Sequence, residues 1–103
     1  MTVLTKDNFK IEVEDYKGLI MIDLYADWCA PCRMLSPVIE ELERENSDVK
    51  FCKINVDNEP ELAQLFRVSS IPMIAAVKDN TFLDMSVGFV PKASLEALIN
   101  NNK

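Results

Sequence analysis

The run Leu19-Ile20-Met21-Ile22-Asp23-Leu24-Tyr25 is apolar at every position but one, the pattern of a central strand buried on both faces of a sheet. Directly after it comes Trp28-Cys29-Ala30-Pro31-Cys32-Arg33. Pro31, fixed in φ and lacking an N–H, suits the first turn of a helix, so the strand delivers the chain through a sharp turn to a helix that starts near Cys29. The i, i+3 spacing sets the second sulfur on the same face one turn further in, close enough for a small disulfide ring. The pair reads as a redox-active dithiol, with one thiol facing solvent and the other behind it.

The rest of the chain alternates strand and helix patterns without an internal repeat or linker, which is an α/β arrangement. Thr2 to Leu4 predicts a short strand, and a weak helix follows around Asn8 to Val13. From Pro31 to Asn46, Met34, Leu35, Val38, Ile39 and Leu42 recur at helical spacing opposite Glu40, Glu41, Glu43, Arg44 and Glu45. Glu40 and Arg44 are spaced as a favourable i, i+4 pair, the acidic cluster reads as a solvated face, and Pro37 predicts a kink. Val49 to Val56 reads as a second buried strand. Asn58-Glu59-Pro60-Glu61 opens a short helix through Phe66, with Asn58 as cap. Met73 to Val77 and Phe82 to Val87 form a hairpin about Lys78-Asp79-Asn80-Thr81, and Pro91 opens a last helix carrying Leu95, Leu98 and Ile99.

Composition narrows the chemistry. Seventeen acidic against eleven basic residues give a net charge of −6, which disfavours nucleic acid and anionic membrane as partners. The N-terminus has neither the charged nor the long apolar region of a signal peptide, so a cytoplasmic location is expected. With no histidine, Ser-His-Asp and Cys-His catalysis are excluded, and with only Gly18 and Gly88 no phosphate-binding loop is present. A zinc or iron–sulfur site would have to be completed by a second chain, because only two thiols are suitably placed.

Two charged residues stand where charge is costly. Asp23 is the one ionisable group between Leu19 and Ala26, and its desolvated carboxyl should have a raised pKa suited to acid–base work near neutrality. Lys53 shares a strand face with Val49 and Phe51 and needs a counter-charge or an escape to solvent. Asp23 is a candidate partner; the alternative is that Asp23 ends its strand and Lys53 reaches outward. Cys52, on the face opposite Lys53, reads as an inert buried thiol, with a regulatory or dimer-forming role as the alternative.

The ordered set Asp23, Ala26-x-Trp28-Cys29-x-Pro31-Cys32, Pro37, Lys53-Ile54-Asn55-Val56-Asp57, Ile71-Pro72 and Gly88 resembles the thioredoxin family along essentially the whole chain. The resemblance implies a thioredoxin fold spanning residues 1–103 as a single domain, an α/β architecture with a central mixed five-stranded sheet flanked by four helices. It implies that Cys29 attacks and Cys32 resolves, with Asp23 buried beneath Cys32 as proton acceptor and Lys53 modulating that carboxylate. Position agrees on the order of attack, since Cys29 lies nearest the positive end of the helix. The family also implies a substrate groove of Trp28, Ala30, Pro31, Ile71, Pro72, Gly88 and Phe89, with Ile71-Pro72 cis although only about 5–6% of X-Pro bonds are.

The function so implied is thiol–disulfide oxidoreduction: protein disulfides are reduced by a Cys29/Cys32 dithiol cycle serving electron transport and redox homeostasis in the cytoplasm. The implied partners are a thioredoxin reductase as electron donor and disulfide-containing client proteins, with no cofactor or metal of the chain's own, and the expected state is a monomer. Several positions depart from the family pattern, with Ala30 and Arg33 replacing the usual Gly and Lys around the dithiol, Met73 the usual Thr after the proline, and Tyr25 standing where many members have Trp. Arg67, Ser70 and the residues near Asn80 likewise stand where glycine is common. The dipeptide between the cysteines tunes redox poise, so reduction potential is the property these changes touch. An adaptor that keeps the fold with idle cysteines is the remaining alternative.

Overall fold

The computed structural model describes residues 1–103. In chain order its elements are strand β1 (Thr2–Val3), a single π-helical turn α1 (Lys10–Glu14), β2 (Leu19–Tyr25), helix α2 (Ala30–Glu45), β3 (Lys50–Asn55), α3 (Pro60–Leu65), β4 (Met73–Lys78), β5 (Thr81–Val87) and α4 (Lys92–Asn102). The strands form one sheet of order β1-β3-β2-β4-β5. β1 and β2 run parallel to β3, whereas β2–β4 and β4–β5 are antiparallel. The sheet is mixed, and no helix is long and apolar enough to cross a membrane.

β2 occupies the middle because both of its faces are apolar. Ile20, Ile22 and Leu24 enter one core layer with Phe9 and Val13 of the α1 region and Leu62 and Phe66 of the α3 region. Leu19 and Met21 enter the other, against Leu35, Ile39 and Leu42 of α2 and Leu95, Leu98 and Ile99 of α4. Burial of each such side chain contributes roughly 1.5–3 kcal/mol. The spacing 35, 39, 42 puts the buried side chains of α2 on one stripe, and the helix runs unbroken past Pro37.

Several local expectations shift. The first helix begins later than Asn8, because Thr5 and Asn8 satisfy each other: Thr5 N–H donates to Asn8 Oδ1 at 2.8 Å and Asn8 N–H to Thr5 Oγ1 at 3.3 Å. The wider turn that follows is closed by Asp15 N–H donating to Lys10 O at 2.8 Å. Asn58 does not cap α3. Pro60 takes the first turn, Glu59 becomes the residue before it, and the Glu59 carboxylate accepts the Lys6 N–H at 2.8 Å instead.

The acidic face of α2 is not simply solvated. Glu41 and Glu45 both bind Lys92 of α4, and Glu43 takes the N-terminal amine at 3.1 Å. Glu40 is met by the Ser36 hydroxyl at 3.3 Å rather than by Arg44. On the other side of the sheet Lys50 Nζ lies 2.6 Å from Glu12 Oε2 and 4.5 Å from the Tyr16 ring centre, tying α1 to β3.

β5 is the open edge. Phe82, Met85 and Val87 pair with Val77, Ala75 and Met73, and all three stay about half exposed. A bulge interrupts the ladder between Ala76 and Val77, and Asp84 Oδ1 accepts the Met85 N–H at 2.8 Å. The hairpin turn has positive φ at both central residues, Asp79 at 50° and Asn80 at 60°, as a two-residue primed turn requires. Arg67, just past α3, is also left-handed at φ 54°. Asn80→Gly is therefore expected to stabilise the protein by about 0.5–1 kcal/mol, read as a higher urea midpoint with an unchanged slope.

Candidate active site

The site lies where β2 ends. Cys29 is the residue before α2, in extended backbone (φ −87°, ψ 107°), and its Sγ accepts the Cys32 N–H at 3.2 Å. Ala30 and Pro31 form the opening of the helix, so the N–H that Pro31 lacks is one the first turn would leave unpaired. Cys29 and Cys32 are joined as a disulfide with Cα atoms 5.2 Å apart. Both cysteines are 4% exposed, which corrects the expectation of one solvent-facing thiol. They pack with Ala26 in a small cluster flanked by Tyr25, Val56 and Ile71, and the Ile71 carbonyl oxygen sits 3.9 Å from Cys29 Sγ.

Part of the surface around this pair is apolar. Trp28 is 70% exposed, so it is a rim residue and not core, and its indole N–H donates to Asp57 Oδ2 at 2.8 Å. The Ile71–Pro72 bond is cis, and Gly88 N–H donates to Pro72 O at 2.8 Å, locking the two loops together. Gly88 has φ 88°, a conformation that favours glycine. Phe89, half exposed, follows it. The structure thus brings Trp28, Ala30, Pro31, Ile71, Pro72, Gly88 and Phe89 to the end of the sheet that bears the disulfide.

Beside Cys32 a cavity of about 280 Å³ is lined by charged groups, Asp23, Asp27, Arg33 and Lys53 among them. Asp23 is 7% exposed and its Oδ1 has no hydrogen-bond partner. Burial pushes its carboxyl up to about 7, against the opposing pull of the Lys53 charge. Lys53 faces Asp23 in the β2–β3 register but makes no ion pair with it. Its ammonium reaches instead toward the Tyr25 ring, 5.7 Å from the centre. Arg33 Nη1 donates to the Asp27 carbonyl at 2.7 Å, fixing its guanidinium against the turn before Cys29.

A family model described as Thioredoxin matches residues 1–101. The chain belongs to the thioredoxin family. It is 38% identical over 103 residues to the thioredoxin of Bacillus subtilis, covering 99% of each chain, and 43% identical over 100 residues to that of Chlamydia caviae, covering 97% of this chain and 96% of that one. Its structure is similar to that of Fasciola hepatica thioredoxin, with a TM-score of 0.93, 33% identity and full coverage of both chains. With its Cys-x-x-Cys pair in disulfide contact, this thioredoxin-family chain is a thiol–disulfide oxidoreductase, an enzyme.

The family motif contains Asp57, yet nothing in its pattern marks it as the partner of Trp28; that contact joins two loops 29 residues apart. Arg33 is visible in sequence only as a departure, and its bond to Asp27 O belongs to the turn's geometry. Cys52 lies in the opposite core layer, where burial pushes its thiol up to about 11, so it does not converge with the dithiol.

Asp23 also imposes a pH dependence on stability. Its folded-state pKa lies above the ordinary value of 3.8, so the native state holds the proton more tightly than the unfolded chain. The stabilisation is complete below about 4 and is lost as pH rises to about 7, amounting to about 4 kcal/mol. Asp23→Asn is expected to remove most of that slope and to raise the denaturation midpoint of the oxidised protein at pH 8, measured by urea unfolding from pH 4 to 8.

Proposed function

We propose that this oxidoreductase works in the reducing direction on protein disulfides, with Cys29 as nucleophile, Cys32 as resolving thiol and Asp23 as the proton acceptor for Cys32. The observation that carries this reading is Cys29 at the N-terminal boundary of α2, its sulfur taking the Cys32 N–H. That donor and the positive helix end stabilise negative charge on Cys29 Sγ and not on the sulfur one turn further in.

The cycle balances as two exchanges. Cys29 thiolate attacks one sulfur of a client disulfide, forming the Cys29–client bond and expelling the other client sulfur as thiolate. Cys32 then gives its proton to Asp23, and the resulting thiolate attacks Cys29 Sγ, breaking the mixed disulfide and releasing the second client sulfur. Two electrons leave with the client and the Cys29–Cys32 bond remains. A carboxyl with a pKa of about 7 is matched to this transfer, since it binds and releases a proton over the same range as a perturbed thiol. Lys53, across the register, offsets part of the carboxylate's desolvation and so tunes that pKa.

Trp28, Ala30, Pro31, Ile71, Pro72, Gly88 and Phe89 form the client-docking surface in this reading, an extended client segment lying along the Ile71 backbone. A thioredoxin reductase returns the electrons, the chain acts as a monomer without a cofactor or metal of its own, and it serves cytoplasmic redox homeostasis. The supports for these partners are the family relationship and an apolar rim around a covered disulfide, which demands a docked thiol and not a free collision.

Insulin reduction driven by dithiothreitol tests the assignment. Cys29→Ser is expected to abolish catalysis, and Cys32→Ser to accumulate a mixed disulfide with the client, visible by mass. In stopped flow Asp23→Asn should slow release of the mixed disulfide at least tenfold more than its formation, because only the second exchange deprotonates Cys32. Equal slowing of both steps would remove Asp23 from the role given to it.

A further inference from the structure

At the opposite end of the sheet from the disulfide, beside the β4–β5 hairpin, a groove of about 590 Å³ opens between α1, α3 and β5. That volume falls within the range of pockets that take drug-sized ligands. Its base is aromatic: the rings of Phe9 and Phe66 lie 6.1 Å apart edge to face, and Phe66 and Phe82 lie 6.1 Å apart and tilted. Val77 completes the base, and Leu65 and Met85, both more than half exposed, form the walls. The face of β5 that elsewhere in the sheet would be covered by a helix is here left to whatever fills the groove.

Three polar side chains line it, Arg67, Asn80 and Glu14, and none makes an ion pair or side-chain hydrogen bond within the protein. Arg67 and Asn80 bring five guanidinium and two amide N–H donors to the rim. Both sit in left-handed backbone, Arg67 at φ 54° and Asn80 at φ 60°. An apolar trough with unpaired donors in its lining suits a molecule with an apolar body and a single anionic end. The carboxylate of Glu14 weakens such a ligand without blocking it, and it argues against a broad anionic surface, as does the net charge of −6.

We propose that this groove is a second binding site, taking a free medium-chain or aromatic carboxylate with its chain on Phe9, Phe66 and Phe82 and its head group on Arg67 and Asn80. The site is separate from the dithiol, so it is occupied in both oxidised and reduced protein.

Titration of the full chain with decanoate, below its micelle concentration, tests this by calorimetry and by the methyl resonances of its methionines. Saturable 1:1 binding with the largest shift at Met85 is expected. Arg67→Gln should weaken decanoate about tenfold, the weight of one charge-assisted contact, while leaving decanol unaffected, and Arg67→Lys should retain most of the affinity. Glu14→Gln should tighten decanoate severalfold. Absence of saturation, shifts centred on the dithiol end, or equal loss of decanoate and decanol in Arg67→Gln would overturn the proposal. So would binding to anionic vesicles in preference to the free acid.

Discussion

The molecule is organised by a strand that has no wet face. Ile20, Ile22 and Leu24 are fully buried on one side of β2 and Leu19 and Met21 nearly so on the other, while β3 and β4 occupy its hydrogen-bonding edges. Only the ends of such a strand reach solvent, so the chemistry gathers at its C-terminal end, as is general where strands feed helices in α/β proteins. α2 starts there, and Cys29 owes both its position and its N–H partner to that junction. Asp23 is the single interruption of the apolar run, and its isolation follows from how thoroughly the rest is buried.

Elements governed by burial patterns were legible from the chain. The β2 run, the α2 stripe of Leu35, Ile39 and Leu42, and the α4 triplet Leu95, Leu98 and Ile99 all appear where the apolar spacing puts them, because side-chain period and packing face are properties of a short segment. Polar contacts were less so. The Glu40–Arg44 pairing and the Asn58 cap are sound local expectations that the structure does not keep: Glu40 takes Ser36 one turn earlier in the same helix, and Pro60 sets the start of α3 so that Glu59, not Asn58, precedes it. In the site, Asp23 and the two cysteines could be found from residue type and spacing. The Trp28–Asp57 bond, the Arg33–Asp27 bond and the equal covering of both sulfurs depend on how separate loops meet, which spacing along one segment does not encode.

Charge is distributed around the disulfide with little direct pairing. Asp23 keeps an oxygen without a partner, Lys53 turns to the Tyr25 ring, and Arg33 is held by a backbone carbonyl. A tight ion pair between Asp23 and Lys53 would hold the carboxylate ionised and drive its pKa down. The looser arrangement leaves desolvation dominant over the Lys53 charge, and Asp23 and Cys32 line one small cavity. The same lack of pairing makes the site costly to the fold, a cost carried by two well-filled core layers.

The open edge of the sheet has a consequence for how these molecules behave when crowded. β5 is an apolar outer strand without lysine or proline, the kind that invites another chain to add itself to the ladder. Asp84 turns its carboxylate onto the Met85 N–H, so one donor a neighbouring strand would seek is already taken, and a negative charge stands midway along the seam. With the bulge at Ala76/Val77 disturbing the register, a single side chain and one irregular step keep an otherwise adhesive border from propagating into an aggregate.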